Sequence, residues 1–274
     1  MRQFDLISDI HLDFWVTETS SLWWQEWKLK RFIRKLLPDA VSGTLLIAGD
    51  LGHSNKQNYL FLKQLKKYYA NIVLVMGNHD YYLGKAALAR QGSRDSMDRS
   101  HHMKTIAGRL PGVHYLDGDT VMLDGIVFGG CGMWYDLQYG IQVLKSTQDH
   151  IFKQWIGVSN DYARLRGKPR MTLDMFQLEK AKLDKVIGGS DVIMTHISPD
   201  WSRVPKGREL ELTTSFYYFD GSGYADQLAG KVWCFGHIHE RMDYVQHRCR
   251  FINASLGYPK QRKDAPERIR TITI

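Results

Sequence analysis

Short apolar runs that stop abruptly in polar residues recur along the chain. Phe4-Asp5-Leu6-Ile7 precedes Ser8-Asp9-Ile10-His11, residues 44–48 precede Gly49-Asp50, and residues 72–76 precede Gly77-Asn78-His79-Asp80. Later, Val192-Ile193-Met194 precedes Thr195-His196, and residues 232–235 precede Gly236-His237-Ile238-His239. Each run is brief and rich in Val, Ile, Leu or Phe, the pattern of a buried strand that ends at a loop. Between the runs, apolar residues return at three- and four-residue intervals, which predicts helices over 22–37, 56–69 and 172–187. The order at the start is therefore βαβαβ. Residues 121–131 read as a glycine-punctuated hairpin, and 248–252 and 268–274 as late strands. Open α/β sheets bind ligands beyond the carboxyl ends of their strands, so five strand ends can pool side chains that are far apart in sequence.

With 274 residues, 43% hydrophobic and 24% charged, the chain has enough apolar material to bury a large core and is not of disordered composition. No Pro-, Gly- or Ser-rich linker divides it, which predicts one domain over 1–274, with a specificity insertion around 135–170. Lys and Arg (37) exceed Asp and Glu (29) by eight, and that excess favours anionic partners: phosphorylated metabolites, nucleic acid or an anionic membrane face. No stretch approaches the ~18 apolar residues of a spanning helix, and charge appears too early for a signal peptide. The expectation is a soluble, cytoplasmic protein without stable membrane insertion. Three cysteines without CxxC spacing suit reduced, packed thiols better than a disulfide framework.

The polar residues that close the apolar runs carry the chemistry. Asp9, His11, Asp50, Asn78, His196, His237 and His239 are oxygen and nitrogen donors, each at a strand-to-loop junction. Such a set suits two hard or borderline cations, and the absence of Cys at these junctions argues against a closed structural zinc site. Any one of these residues alone reads as an ordinary loop residue. The ordered series DxH, GD, GNHD, TH, GHxH, each after an apolar run, does not.

This series resembles the calcineurin-like metallophosphoesterase superfamily, in particular a bacterial branch of predicted phosphoesterases. The resemblance runs from Asp9 to His239, with further matching stretches at residues 128–134, 159–162 and 195–199 and at Asn253. It implies a four-layer α/β/β/α sandwich of two mixed sheets flanked by helices, with a binuclear metal site at the strand ends. One ion would be held by Asp9, His11, Asp50 and His239. The other would be held by Asp50, Asn78, His196 and His237, so Asp50 is the bridge. The ions would be divalent or trivalent: Mn, Fe, Zn or a mixture. His79 would be catalytic, facing the substrate to stabilise phosphoryl oxygens or protonate the leaving alkoxide, with Asp80 orienting it. The implied reaction is in-line attack on phosphorus by a metal-bridging hydroxide, on a phosphomonoester or phosphodiester.

One departure matters. Many relatives carry an acidic residue three positions after the GD motif, often followed by Arg, whereas this chain reads Gly49-Asp50-Leu51-Gly52-His53. That disfavours a protein Ser/Thr phosphatase and makes His53 a candidate for gripping phosphate. Trp134 and Asn160, with neighbouring Asp161 and Tyr162, are candidate pocket residues. The basic helix at 22–37 is expected to pack its Trp, Leu and Ile face on the sheet and solvate its Lys and Arg face. The leading expectation is thus a metal-dependent phosphoric ester hydrolase acting on a small phosphate ester. A nuclease acting on DNA or RNA is the alternative suggested by net charge, and a non-catalytic scaffold fits poorly because every expected ligand is present.

Overall fold

The computed structural model describes residues 2–83, 95–167, 172–261 and 268–274. The first part alternates β1 (Gln3–Ile7), a one-turn helix α1 (Leu12–Trp15), α2 (Leu22–Leu36), β2 (Thr44–Ala48), α3 (Asn55–Leu65) and β3 (Asn71–Val75). Then come α4 (Ser96–Ala107), β4 (Val113–Tyr115) and the hairpin of β5 (Asp119–Leu123) and β6 (Ile126–Gly130). The segment anticipated as an insertion forms a π-helical turn (Tyr139–Val143), α5 (Gln148–Val158) and α6 (Asn160–Arg164), and residues 168–170 lie outside the described residues. The chain continues with α7 (Thr172–Val186), β7 (Val192–Met194), β8 (Val232–Phe235), β9 (Met242–Gln246), β10 (Cys249–Asn253) and β11 (Arg270–Thr273). Local sequence sets the helix starts. Ser21, Ser54, Asp95, Thr147 and Ser159 each cap the backbone of the turn that follows with a side-chain oxygen.

The strands form two mixed sheets, ordered β11-β1-β2-β3-β4 and β5-β6-β7-β8-β10-β9. Parallel strands occupy the middle of both, and antiparallel strands sit at edges. Alternation along the strands sorts side chains into two cores. Leu6, Leu46, Ala48, Val73 and Val75 of the first sheet meet Phe128, Val192, Met194, Val232 and Cys234 of the second in one buried cluster. The intervening residues, such as Ile7, Leu45, Ile47 and Leu74, belong to the other cluster, with Leu29, Ile33, Phe61 and Leu65 from the helices. The fold is therefore helix, sheet, sheet, helix. All three cysteines are free and buried, and no helix among the described residues is long and apolar enough to cross a membrane.

The expected helices and strand runs appear within a few residues of their anticipated bounds. Two strands have no counterpart among the expectations. β4 is only three residues long, and β9 alternates intermediate and exposed positions at a sheet edge, so neither offers an apolar run. A correction concerns α2: Leu29, Phe32, Ile33 and Leu36 are buried, but Trp23, Trp24 and Trp27 are 65%, 50% and 44% exposed. At 100° per residue these tryptophans fall opposite the stripe that the aliphatic residues already fill.

Asp5 sits inside the first apolar run and is fully buried. Its carboxylate accepts from the Tyr69 hydroxyl (2.8 Å), the Thr271 hydroxyl (2.7 Å) and the Ser42 amide (3.1 Å), tying the lead into β2, the end of the α3 region and β11 to β1. Asp5→Ala leaves three donors without an acceptor, and urea unfolding should show a loss of about 3 kcal/mol or more. A loss below about 1 kcal/mol would mean that water replaces the carboxylate at no cost.

Candidate metal centre

Neighbouring strands β1, β2 and β3 deliver Asp9 and His11, Asp50, and Asn78 and His79, while β7 and β8 of the other sheet deliver His196, His237 and His239. The sheets are stitched together at this edge. His196 Nδ1 donates to the Ala48 carbonyl (3.0 Å), and the His237 amide reaches both Asp9 oxygens (2.9 and 3.0 Å).

Five of the seven candidate ligands hold a left-handed backbone: Asp9 (φ 51°), His11 (44°), Asp50 (56°), His237 (70°) and His239 (58°). This conformation is uncommon outside glycine and costs on the order of 1–3 kcal/mol per residue, so the surroundings must enforce it. At Asp50 this falls to Asp80. Its carboxylate accepts from the amides of Gly77 (2.8 Å), Asp50 (3.0 Å), Leu51 (3.0 Å) and Gly52 (3.2 Å). Gly49 and Gly77 allow the closest approaches: a Cβ on Gly49 would strike the His196 ring, and one on Gly77 would strike the Asp50 carboxylate.

Three overlapping groups of donor atoms result: Asp9, His11 and His239; His11, Asp50 and His79; and Asp50, His196 and His237, each with its atoms within 4.8 Å of one another. Within them, His11 Nε2 lies 2.9 Å from His239 Nε2 and 3.6 Å from Asp50 Oδ2. His239 Nε2 lies 3.3 Å from Asp9 Oδ1, and His196 Nε2 lies 3.4 Å from Asp50 Oδ2 and 3.1 Å from Asn78 Oδ1. Donors that share an ion at about 2.1 Å in tetrahedral or octahedral array stand about 3.0–3.4 Å apart, so these spacings fit a cation. The second nitrogen of each ring supports that fit. His196 Nδ1 is engaged by Ala48, His237 Nε2 by the Phe216 carbonyl (3.0 Å) and His239 Nδ1 by Gln261 (2.9 Å), each leaving one nitrogen for a ligand. The exception is His11, whose Nδ1 is buried without a hydrogen-bond partner.

Electrostatics divide the rings: against burial, Asp50 raises His196 to about 10 and Asp9 raises His239, so a cation bound there would displace a proton from each. Burial and neighbouring imidazoles hold His11 and His79 well below the usual histidine range, and burial with His196 nearby pushes His237 down to about 3. These rings are neutral at pH 7 and offer lone pairs. Burial works against the charge of Asp9, but His239 overcomes it and holds the carboxyl well below its ordinary range. Asp50 is raised by burial, with Asp80 and Asp9 adding and His196 opposing. A crowd of buried bases and carboxylates of this kind is relieved by positive charge at its centre.

The ring of His79 is gripped by groups other than the one expected. Asp80 is spent on backbone amides. His79 Nδ1 instead meets His53 Nε2 (3.0 Å), and His53 Nδ1 meets Asp13 Oδ2 (2.7 Å), while the Tyr258 hydroxyl lies 3.3 Å from His79 Nε2. His53 thus stands behind His79, outside the cavity wall. The cavity, about 290 Å³, is lined among others by Asp50, Asn78, His79, Asn160, Arg208, Tyr217, His237, His239 and Tyr258. Trp134 is a correction: it is 1% exposed and packs on Tyr81 and Tyr135 in the core. Asp161 proves more telling than its neighbour Tyr162. It accepts from Asn78 Nδ2 (2.8 Å), Tyr82 (2.5 Å) and Tyr135 (2.6 Å), which turns the Asn78 oxygen toward His196. Arg208 and Tyr258 carried signals in the sequence, the first in a short basic run after His196 and the second in the Gly257-Tyr258-Pro259 stretch that the family resemblance includes. Asp13 carried none, because nothing local marks a residue whose partner is another loop.

The profile of the calcineurin-like phosphoesterases matches residues 3–241, most of the chain. The chain belongs to the calcineurin-like phosphoesterase family. Among solved structures it is similar to a phosphopantetheinyl hydrolase from Mycobacterium tuberculosis, at 15% identity and a TM-score of 0.73, over 98% of this chain and 95% of that one. A vacuolar protein sorting 29 from Cryptosporidium parvum aligns at 14% identity with a TM-score of 0.34, over 96% of this chain and 80% of that one. No curated protein matches. For a calcineurin-like phosphoesterase, the Asp and His clusters at the strand ends are the groups able to hold divalent metal.

The Asp161 carboxylate should therefore govern metal binding without touching metal. Asp161→Ala frees the Asn78 amide to rotate, and calorimetric titration with Mn²⁺ should show a loss of about 10–100-fold in affinity at one site. An unchanged isotherm would remove Asn78 from the ligand set.

Proposed function

We propose that this calcineurin-like phosphoesterase hydrolyses a phosphomonoester or phosphodiester of a small molecule, using two ions held by Asp9, His11, Asp50 and His239 and by Asp50, Asn78, His196 and His237. The observation that carries this reading is that Asp50 belongs to two of the three donor groups at once. Ions bound there, Mn, Fe, Zn or a mixture, would supply Lewis-acid activation of water and neutralise charge on the phosphoryl oxygens.

The protein's own groups do the rest. His79 lines the cavity as a neutral imidazole, with Nδ1 committed to His53 and Nε2 turned to the Tyr258 hydroxyl. Asp13 accepts the His53 Nδ1 proton, so His53 Nε2 accepts from His79 Nδ1–H and the cavity-facing His79 Nε2 is bare. That nitrogen takes the proton that the attacking water gives up and passes it to the leaving oxygen. Arg208 and Asn160 on the wall offer donors to phosphate oxygens in place of the arginine that the GD motif lacks. A cavity of about 290 Å³ is at the small end of ligand pockets, which run about 300–1,000 Å³, and this favours a small ester over a polynucleotide strand.

Treatment with chelator should abolish hydrolysis of an aryl phosphate ester, and added Mn²⁺ should restore it. Asp50→Asn should cost more than the 10–100-fold typical of changes one shell further out, about a hundredfold at least. Equal activity of parent and variant would refute the assignment. A panel of phosphomonoesters, phosphodiesters, a phosphopantetheinyl ester and a short oligonucleotide would then choose the substrate class.

His53→Ala separates the role of His79 from that of the ions. It should slow an alkyl phosphate by about tenfold or more but a p-nitrophenyl ester far less, because nitrophenolate departs without a proton. Equal slowing of both esters would show that His79 does not protonate the leaving group.

A further inference from the structure

We propose that the solvent face of α2 is a docking surface for an anionic lipid bilayer, with Trp23, Trp24 and Trp27 at headgroup depth and the basic side chains of the helix on lipid phosphates. The surface contains no residue of the metal centre, so the proposal stands whether or not that site is active.

Three large indoles on one helix face are costly to leave in water. They are about half exposed or more, and Leu22 beside them is 55% exposed. They are also ordered. Trp23 and Trp24 pack edge to face at 4.6 Å, Trp24 and Trp27 do the same at 5.7 Å, and the Arg31 guanidinium lies 5.6 Å from the centre of the Trp27 ring. This arrangement occupies ring faces that a nucleic-acid base would need for stacking. An indole has an apolar body and one N–H donor, which suits the boundary between acyl chains and headgroups.

Charge complementarity names the surface. Among the described residues, Lys28, Lys30, Arg31, Arg34 and Lys35 form no ion pair with a carboxylate, and the one acidic residue of the helix, Glu26, is engaged by Lys63 at 3.5 Å. Unspent cations beside tryptophans are what an anionic leaflet attracts. A groove of about 340 Å³ runs between α2 and residues 15–17, with Trp15, Phe32 and Trp27 as apolar walls and Lys28, Arg31 and Lys35 around it. It offers an anionic headgroup a seat. Leu29, Phe32, Ile33 and Leu36 keep the opposite face in the core, so docking needs no unfolding of the helix. The result is adsorption, not insertion.

Sedimentation of the full chain with vesicles of phosphatidylcholine, alone or mixed with phosphatidylglycerol, tests this. Binding is expected on the mixed vesicles only, with a blue shift of tryptophan emission and quenching by brominated lipid. Each basic residue near an anionic surface contributes about fivefold, so K28E/R31E/K35E should weaken binding about a hundredfold. W23A/W24A/W27A should weaken it about tenfold and remove the quenching. K145E/K153E/K185E, which changes the same charge on elements other than α2, should retain binding, and Asp50→Asn should bind like the parent. Circular dichroism of each variant reports folding. The proposal is overturned by absence of binding, by equal loss in the charge control, or by stronger binding to a single-stranded oligonucleotide than to vesicles. Loss of a parent dimer in W23A/W24A/W27A, seen by analytical ultracentrifugation, would assign the face to a second copy of this chain and overturn it as well.

Discussion

Seven side chains able to bind a cation crowd the edge where two sheets meet, five of them buried, and the cost of packing such groups together is the constraint that the rest of the molecule answers. Burying a carboxylate or an imidazole beside others of its kind is unfavourable unless hydrogen bonds or positive charge compensate. The protein supplies part of this itself. Amides of His237 and His79 point at Asp9 and Asp50, and carbonyls or an amide oxygen take the far nitrogens of His196, His237 and His239. The clusters able to hold divalent metal are where cations would complete it.

The same constraint explains the strained backbone. To aim donors from both sheets at a common centre, the chain must turn sharply just after β1, β2 and β8, and it does so in left-handed conformations at Asp and His where glycine would be easier. Glycine cannot serve at those positions because it has no donor atom. After β2 the strain is held by Asp80, which gathers four backbone amides, and by Arg99, a fully buried guanidinium that donates to the carbonyls of Gly52, His79 and Tyr82. Two buried charges are thus spent on the shape of two loops. This is why Asp80 matters to the site although it never meets the His79 ring.

The segment between β6 and α7 shows how a scaffold acquires particular chemistry. Its helices α5 and α6 bring Asp161 to Asn78 and Asn160 to the cavity wall, and Trp155 donates to Tyr135, which in turn donates to Asp161. A chain of buried hydrogen bonds thereby connects the packing of this segment to the orientation of the Asn78 amide. Elsewhere, α2 is fixed by its aliphatic stripe, which leaves its tryptophans on the solvent face.

The sequence by itself determined the strand-and-loop framework and the donor residues, because an apolar run that ends in DxH, GD, GNHD, TH or GHxH carries both its burial and its chemistry in consecutive letters. The bounds of α2, α3 and α7 followed from the 3.6-residue period for the same local reason, whereas α4, α5 and α6 were not anticipated. Only the tertiary structure decided that His53 and Asp13 stand behind His79, that Asp161 turns Asn78, that Trp134 is core and that Trp23, Trp24 and Trp27 lie outside. Each of these depends on which distant loop or neighbouring stripe fills the adjoining space. Pair distances across scores of residues are set by how sheets and helices pack, and no local periodicity encodes them.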